Sequence, residues 1–276
     1  MEKNKSHNCF LCSGTNIKTI KKLYTRPTKE TDFLIARGKY KRTIRQCKTC
    51  GIFLNKHDYN LDLFYNKIYN QRTYENNLSG NFDKIISLPY HKSDNKQRVD
   101  RINNYFVGRS KSSNNLSVLD IGSGLCVFLA ELKKYYDNVT CIDPSEVAIK
   151  HAKNYVGIKN AIKGSFGDFT FNQKYDLITF NKVLEHIINP LKILKKAKSL
   201  LNDNGIIYIE VPDGNNASIN GGFVDREEFY IEHFTVFNKR SLKFLAKKAD
   251  LDCIFTKEIH EPSDKYSIYS FMKPNL

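Results

Sequence analysis

Four cysteines in two pairs, Cys9-Phe-Leu-Cys12 and Cys47-Lys-Thr-Cys50, have the spacing with which two thiolates of a tight turn reach one metal ion. Ser13-Gly14 and Gly51 follow the second cysteine of each pair, and a small residue there lets backbone amides point at the sulfurs. Together Cys9, Cys12, Cys47 and Cys50 would complete the closed tetrahedral set of a structural zinc site. The interval between the pairs exceeds the usual ribbon spacing, so a loop or hairpin is expected inside it. So short a module has little core of its own, and metal binding would supply much of its folding free energy. Coincidental pairing and a redox Cys-x-x-Cys are the alternatives, the second opposed by the absence of a βαβ unit after either pair. Cys126, Cys141 and Cys253 stand singly in apolar segments and read as core.

A second constellation is Val118-Leu-Asp-Ile-Gly-Ser-Gly-Leu-Cys126. An apolar strand ends at Asp120-Ile121, and Gly122 and Gly124 permit a tight turn with close backbone approach to a ligand. Asp143 follows about 20 residues on, at the end of the next apolar run, where a carboxylate can accept from both hydroxyls of a ribose. A dinucleotide site would want a third Gly near position 127, which is Val. Asp120, just ahead of the glycines, could face an ammonium group. Two further groups could handle an acceptor. Glu185-His186 follows the fourth strand of the alternating region, and a histidine titrating near neutrality can take a proton. Tyr230-Ile-Glu-His233 follows the fifth. Each has a bland counterpart, bracing a helix start or anchoring the aromatic loop of Phe234 and Phe237. His57, His91, His151 and His260 carry no spacing argument and read as surface residues.

The elements that would position these groups alternate from Leu116 onward. Strands are expected at Ser117–Ile121, Val139–Ile142, Ala161–Lys163, Tyr175–Phe180 and Gly205–Val211. Helices are expected at Val127–Tyr136, Ser145–Tyr155 and Pro190–Leu201. A helix over Ser241–Ala249 and strands at Asp252–Glu258 and Tyr266–Met272 complete the pattern. This is an α/β doubly wound layout with a mostly parallel sheet. The last two strands, joined by a short loop, must pair antiparallel. Residues 1–58 form the zinc module and residues 116–276 the α/β domain. Between them, 59–115 is an aromatic connector (Tyr59, Phe64, Tyr65, Tyr69, Tyr74, Phe82, Tyr90) with helical spacing at Arg98–Phe106 and a polar loop at Lys111–Asn115. Part of it could cover the site.

These residues resemble the class I S-adenosylmethionine-dependent methyltransferases, at Leu119-Asp-Ile-Gly-Ser-Gly124, Ile142-Asp-Pro-Ser145, Tyr175-Asp-Leu-Ile178, Val183-Leu-Glu-His-Ile187 and Leu200–Val211. The resemblance implies a Rossmann-like methyltransferase domain, set apart from dehydrogenases by its antiparallel last strand. It implies S-adenosylmethionine as cofactor, with Asp120, Gly122, Ser123 and Gly124 along the methionine part. Asp143 and Pro144 would lie at the ribose, Asp168 and Phe169 at the adenine, and Asn181 beside the sulfonium. Cys126 stands where that family usually has a third Gly. Over the whole chain, paired N-terminal knuckles ahead of this domain are similar to the sugar C-methyltransferase group, which acts on nucleotide-linked deoxysugars. The chain ends before the further C-terminal domain of that group, so the expected acceptor widens to a sugar, sugar nucleotide or glycan precursor.

Of 276 residues, 41% are hydrophobic and 26% charged, which fits a globular chain rather than a fibrous or disordered one. No apolar run is long enough to span a bilayer, and the charged Met1-Glu-Lys-Asn-Lys5 does not open a secretory signal, so the expected compartment is the cytoplasm. A net charge of +15 admits a nucleic-acid partner, but the lysines are spread along the chain without an obvious stripe. An RNA methyltransferase, or a zinc-ribbon binding protein without catalysis, are therefore the competing readings.

Overall fold

The computed structural model describes residues 8–36, 38–59, 77–107 and 115–275. The connector positions Phe64, Tyr65, Tyr69 and Tyr74 and the polar stretch 111–114 lie outside them. The N-terminal segment contributes β1 (Ile17–Leu23), β2 (Arg42–Cys47) and β3 (Phe53–Lys56), each antiparallel to the next. Cys47 closes β2, and the turn back into β3 is tied by Gly51 N to Cys47 O (2.7 Å) and Cys47 N to Ile52 O (3.0 Å). Gly51 has φ +81°, and a Cβ there would meet Asn238 Nδ2 at 2.0 Å, so this turn requires glycine. The fourth strand of this sheet is β9 (Thr235–Val236), which comes from the far end of the chain and pairs antiparallel with Phe53-Leu54.

Helices α1 (Leu78–Ile86) and α2 (Asp94–Phe106) follow, the second starting ahead of the expected Arg98 because Ser93 caps it, accepting from Lys96 N. The α/β region then runs β4 (Ser117–Ile121), α3 (Val127–Leu132), β5 (Asn138–Asp143), α4 (Glu146–Asn154), β6 (Asn160–Lys163), β7 (Tyr175–Asn181), α5 (Pro190–Ser199), β8 (Leu201–Pro212), α6 (Gly214–Ile219), α7 (Lys239–Lys248), β10 (Leu251–His260) and β11 (Tyr266–Pro274), with β9 lying between α6 and α7. The sheet order is β10-β11-β8-β7-β4-β5-β6. Pairings from β8 through β6 are parallel, and β11 is antiparallel to both β8 and β10, as expected.

Period-two alternation divides each central strand between two cores. Leu119, Ile121, Ile178, Phe180, Ile207 and Ile209 face α5, α7 and the cysteine turns. Val118, Leu177, Ile206 and Tyr208 face α2, α3 and α4. Other helix starts, like that of α2, are capped by side chains. Ser145 accepts from Ala148 N, and Asn189 accepts from Lys192 N with Pro190 next in line. Asn238 and Ser241 close a reciprocal capping box.

Some expectations change in detail. The helix expected to reach Tyr136 stops at Leu132, where bonds tighten to i→i+3 and Tyr136 turns inward to donate to Asn103 Oδ1 (2.8 Å). His151 is not on the surface: it is 6% exposed on α4, stacked on Tyr155 and edge-on to Phe82. His57 is half-buried against Ile231 O at 3.2 Å. Among the described residues, no helix is long and apolar enough to cross a membrane.

Candidate functional site

The chain reverses its direction of sheet growth at β4. After β5 and β6 build outward on one side, β7 returns to the other side of β4, leaving a crevice at the carboxyl ends of these strands. Gly122 begins the turn out of β4 with φ +72°, its amide donating to Ile142 O at 2.9 Å. A Cβ here would lie 2.8 Å from Val183 Cγ2, so the backbone and the Val183 loop approach as only glycine allows. Gly124 N donates to Asp143 Oδ2 (3.0 Å) and Ser145 N to Asp143 Oδ1 (2.8 Å), so one carboxylate ties the glycine turn to the next helix start. Burial pushes the Asp143 carboxyl up while these two amides pull it down. Cys126 takes the left-handed conformation (φ +62°) that a glycine adopts without strain.

Asp120 is 3% exposed, and its Oδ1 accepts from Thr179 Oγ1 (2.6 Å) and Asn181 Nδ2 (2.9 Å). Burial raises its pKa to about 7 despite those hydrogen bonds and the charge of Arg98. Asn181 Oδ1 is buried with no hydrogen-bond partner among the described residues. A turn that admits no side chain at Gly122, an unsatisfied amide oxygen and a carboxyl whose pKa is raised by burial together fit a ligand bearing a cationic amino-acid group. Gly164 N donates to Asp143 O, so the loop carrying exposed Asp168 and half-buried Phe169 hangs from the same strand end. Lys196 Nζ pins that loop through Gly167 O (3.0 Å) and Phe169 O (2.6 Å). Ser123 is half-buried in the glycine turn and Pro144 exposed beyond Asp143.

Glu185-His186 and His233, read separately in the sequence, come together. Glu185 and His186 lie in the single helical turn Leu184–His186 after β7, and His233 in the loop leading to β9. The two imidazoles are 4.6 Å apart, centroid to centroid, at 75°. His186 Nδ1 lies 3.2 Å from Glu232 O and His233 Nδ1 2.9 Å from Glu228 O. A carbonyl only accepts, so both Nδ1 atoms carry the proton and each Nε2 keeps its lone pair. Burial lowers His186 to about 4; burial and the neighbouring His186 hold His233 well below the ordinary histidine value. Glu185 is fully buried, accepts no hydrogen bond from another of the described residues, and is pushed by burial to about 8 in spite of Lys182.

The four cysteines also converge. Cys9 Sγ to Cys50 Sγ is 3.7 Å and Cys12 Sγ to Cys47 Sγ 3.5 Å, with all four sulfurs within 4.8 Å and Gly14 N donating to Cys12 Sγ at 3.4 Å. Sulfurs about 2.3 Å from a central zinc stand about 3.8 Å apart in a tetrahedron, so the set fits that ion.

One group escaped the sequence reading. Glu210, inside the apolar strand β8, takes Arg98 Nε (3.0 Å), Arg98 Nη2, Arg101 Nη2 (2.7 Å) and Tyr208 OH (2.7 Å). Arg98 Nη2 reaches on to Glu261 (3.3 Å), which pairs with Lys182 (2.9 Å), the residue after Asn181. A carboxylate within an apolar strand was the available signal.

The sheet order and the glycine-turn crevice are those of a Rossmann-like class I methyltransferase. Residues 90–255 match the family described as a methyltransferase domain, and the chain belongs to that family. A ubiquinone biosynthesis O-methyltransferase of Actinobacillus pleuropneumoniae serotype 7 is 35% identical over 101 residues, which are 33% of this chain and 43% of that protein. One of Hydrogenovibrio crunogenus is 24% identical over 151 residues, 50% of this chain and 61% of that protein. The chain thus spans less than two thirds of the length of these curated relatives. In fold it is similar to an S-adenosylmethionine-dependent methyltransferase from Clostridium acetobutylicum ATCC 824 (TM-score 0.55, 16% identity, 79% of this chain and 100% of that one). It is similar also to the plantazolicin methyltransferase BpumL in complex with a triazolic desmethylPZN analog and SAH (TM-score 0.56, 18% identity, 76% and 93%).

Proposed function

We propose that this chain transfers a methyl group from S-adenosylmethionine to a hydroxyl of a small-molecule acceptor. The observation that carries the reading is the pairing of the Gly122–Gly124 turn, tied to Asp143, with the buried Glu185–His186–His233 cluster beyond β7. When bound, the donor supplies an activated sulfonium methyl. Asp120 and Asn181 would hold its amino-acid end, Asp143 and Pro144 the ribose, and Asp168 and Phe169 the adenine. Methyl transfer needs alignment and exclusion of water more than covalent help. The acceptor proton is the task left to the protein, and neutral imidazoles suit it. A sugar or sugar nucleotide, the sequence-based expectation, and a quinone precursor, suggested by the printed names of the O-methyltransferase relatives, are the acceptors to screen. The four cysteines would hold zinc as a structural ion, in a module of residues 1–58, with 59–115 as connector and 116–276 as catalytic domain.

Calorimetric titration with S-adenosylhomocysteine tests the donor site. Wild type should bind in the micromolar range and Asp143→Ala at least about tenfold more weakly, since one amide of the glycine turn and one of the next helix lose their acceptor. No binding to wild type overturns the reading. The same titration carries a pH signature. An ammonium bound beside Asp120 favours its carboxylate, so binding should release a proton near pH 7 and weaken up to about tenfold per unit below it. Repeating it in buffers of different ionisation enthalpy counts that proton. Asp120→Asn should abolish the release.

A specific observation keeps RNA as a second reading. Lys48, Lys239, Arg240 and Lys243 line an open cleft between the second cysteine turn and α7. A steep fall of RNA binding with salt, made shallower by Lys239→Glu, would favour it.

A further inference from the structure

The cleft between the second cysteine turn and α7 encloses about 540 Å³, within the range of small-molecule sites. Exposed Lys48, Lys239, Arg240 and Lys243 line it against a single carboxylate, Glu258. None of the four cations forms an ion pair among the described residues, and Lys48 Nζ donates to the uncharged Gln46 Oε1.

Two of these cations, Lys239 and Arg240, open α7, whose first turn holds no acidic residue. A helix N-terminus carries partial positive charge, and α2 and α4 accordingly open with Asp94 and Glu146. Adjacent cations at this end work against the helix until an anion joins them. The backbone amides of Lys239 and Arg240 are among the first four of the helix and donate to nothing among the described residues. Asn238 gives a second, independent sign. Its side chain is 6% exposed, and Oδ1 accepts from Ser241 N (2.8 Å), which fixes the orientation of the amide. Nδ2 is left without a hydrogen-bond partner among the described residues, although buried amide donors are ordinarily satisfied. It points at the cleft wall, where a Cβ on Gly51 would lie 2.0 Å away.

Glu258 pairs with Ile268, and Ile268 with Val211 near the end of β8, so the cleft opens on the carboxyl edge that also carries the glycine turn. β10 stands four strands from β4, about 19 Å along the sheet. The cleft is thus separate from the donor turn, and S-adenosylmethionine has no phosphate to place in it.

We propose that this cleft binds the phosphate group of a small molecule. The amides of Lys239 and Arg240 and Asn238 Nδ2 would donate to its oxygens, and the four cationic side chains would balance its charge. A phosphate offers only acceptors and up to two negative charges, the complement of this lining. A nucleic-acid backbone would need the cations to continue beyond the hollow, whereas the other lysines are scattered along the chain. On the methyltransferase reading, on which this last step rests, the phosphate belongs to the acceptor, and phosphorylated acceptors are the ones to screen first.

Calorimetric titration of the full chain with pyrophosphate, in a buffer without other polyvalent anions, tests the site. Wild type should bind one pyrophosphate per chain, and the double variant Lys239→Ala/Arg240→Ala at least about tenfold more weakly. Asn238→Asp keeps a good helix cap but turns the free donor into a repelling oxygen, and it should lose binding to a similar degree. Without pyrophosphate the double variant should melt no lower than wild type, which removes misfolding as an explanation. No binding to wild type, or unchanged affinity in both variants, overturns the proposal. Tighter binding of a single-stranded oligoribonucleotide than of pyrophosphate, with a steep salt dependence, would assign the cleft to RNA instead. Affinity for S-adenosylhomocysteine should be the same in all three proteins. Donor binding without pyrophosphate binding refutes the phosphate site and leaves the methyltransferase standing. Pyrophosphate binding without donor binding does the reverse.

Discussion

Stripping the four-cysteine metal should disorder the acceptor side while leaving the donor turn formed. The ion would hold together the turn ahead of β1 and the turn between β2 and β3, which meet at the Cys47 end of β2, and β2 and β3 hold the loop that carries His233. Asn55 donates from its backbone to Phe234 O (3.0 Å) and from Nδ2 to Tyr230 O (3.0 Å). Ile231 N donates to Glu30 Oε1 (2.8 Å), and Glu30 pairs with a fully buried Arg42 (2.9 Å) that also donates to Phe229 O. Metal binding in small modules contributes about 10 kcal/mol or more to folding, far beyond what this short sheet can supply from its own core. With Cys47→Ser or a strong chelator, amide exchange over residues 227–237 should accelerate and turnover should fall by at least about tenfold. Affinity for S-adenosylhomocysteine should move much less, because the residues proposed to hold it belong to β4, β5 and β7 and the turns after them. Unchanged exchange in that segment after metal loss would contradict the coupling.

Glu210→Ala should destabilise the protein by about 3–5 kcal/mol, the cost of leaving buried charges without their partner. Arg98 is 6% exposed, and it and Arg101 would face an apolar strand. Urea unfolding should show a lowered midpoint at unchanged slope. Although burial pushes Glu210 up, Arg98 and Arg101 hold it well below the usual carboxylate range. The unfolded chain therefore takes up its proton first, and wild-type stability should fall as the pH drops below about 4.5. That component of the acid loss should be missing from the variant. Since the network continues through Glu261 to Lys182, which has φ +57° directly after Asn181, donor affinity should weaken as well. A loss under about 1 kcal/mol would show that water replaces the carboxylate.

The donor half of the site was legible because its determinants are local. An apolar run, two glycines and an acidic residue about 20 positions later lie within one βαβ unit, and backbone geometry alone brings Gly124 to Asp143. Glu185-His186 and His233 could each be picked out by residue type, but their meeting could not. It depends on β9 pairing with β3 and on the hydrogen bonds of the 228–233 loop, none of which leaves a periodic trace. Arg98 entered the sequence reading only as the start of a helical stretch and Glu210 only as part of a strand, because a buried ion pair is visible only when both partners are placed. His151 was misread for the opposite reason: its neighbours Phe82 and Tyr155 supply a ring stack that spacing does not announce.

The strand pair Phe53–Val236 closes a loop over most of the chain. Contacts so distant in sequence form slowly, because the entropy of closure must be met before the pairing returns anything. During synthesis, β3 would remain an open edge, with its unpaired amides and carbonyls exposed until residue 236 has emerged and docked. The early cysteine turns can capture their ion long before that. A metal-loaded but unclosed intermediate is then the species most exposed to misassociation, and refolding yield should depend more on protein concentration than on the supply of metal.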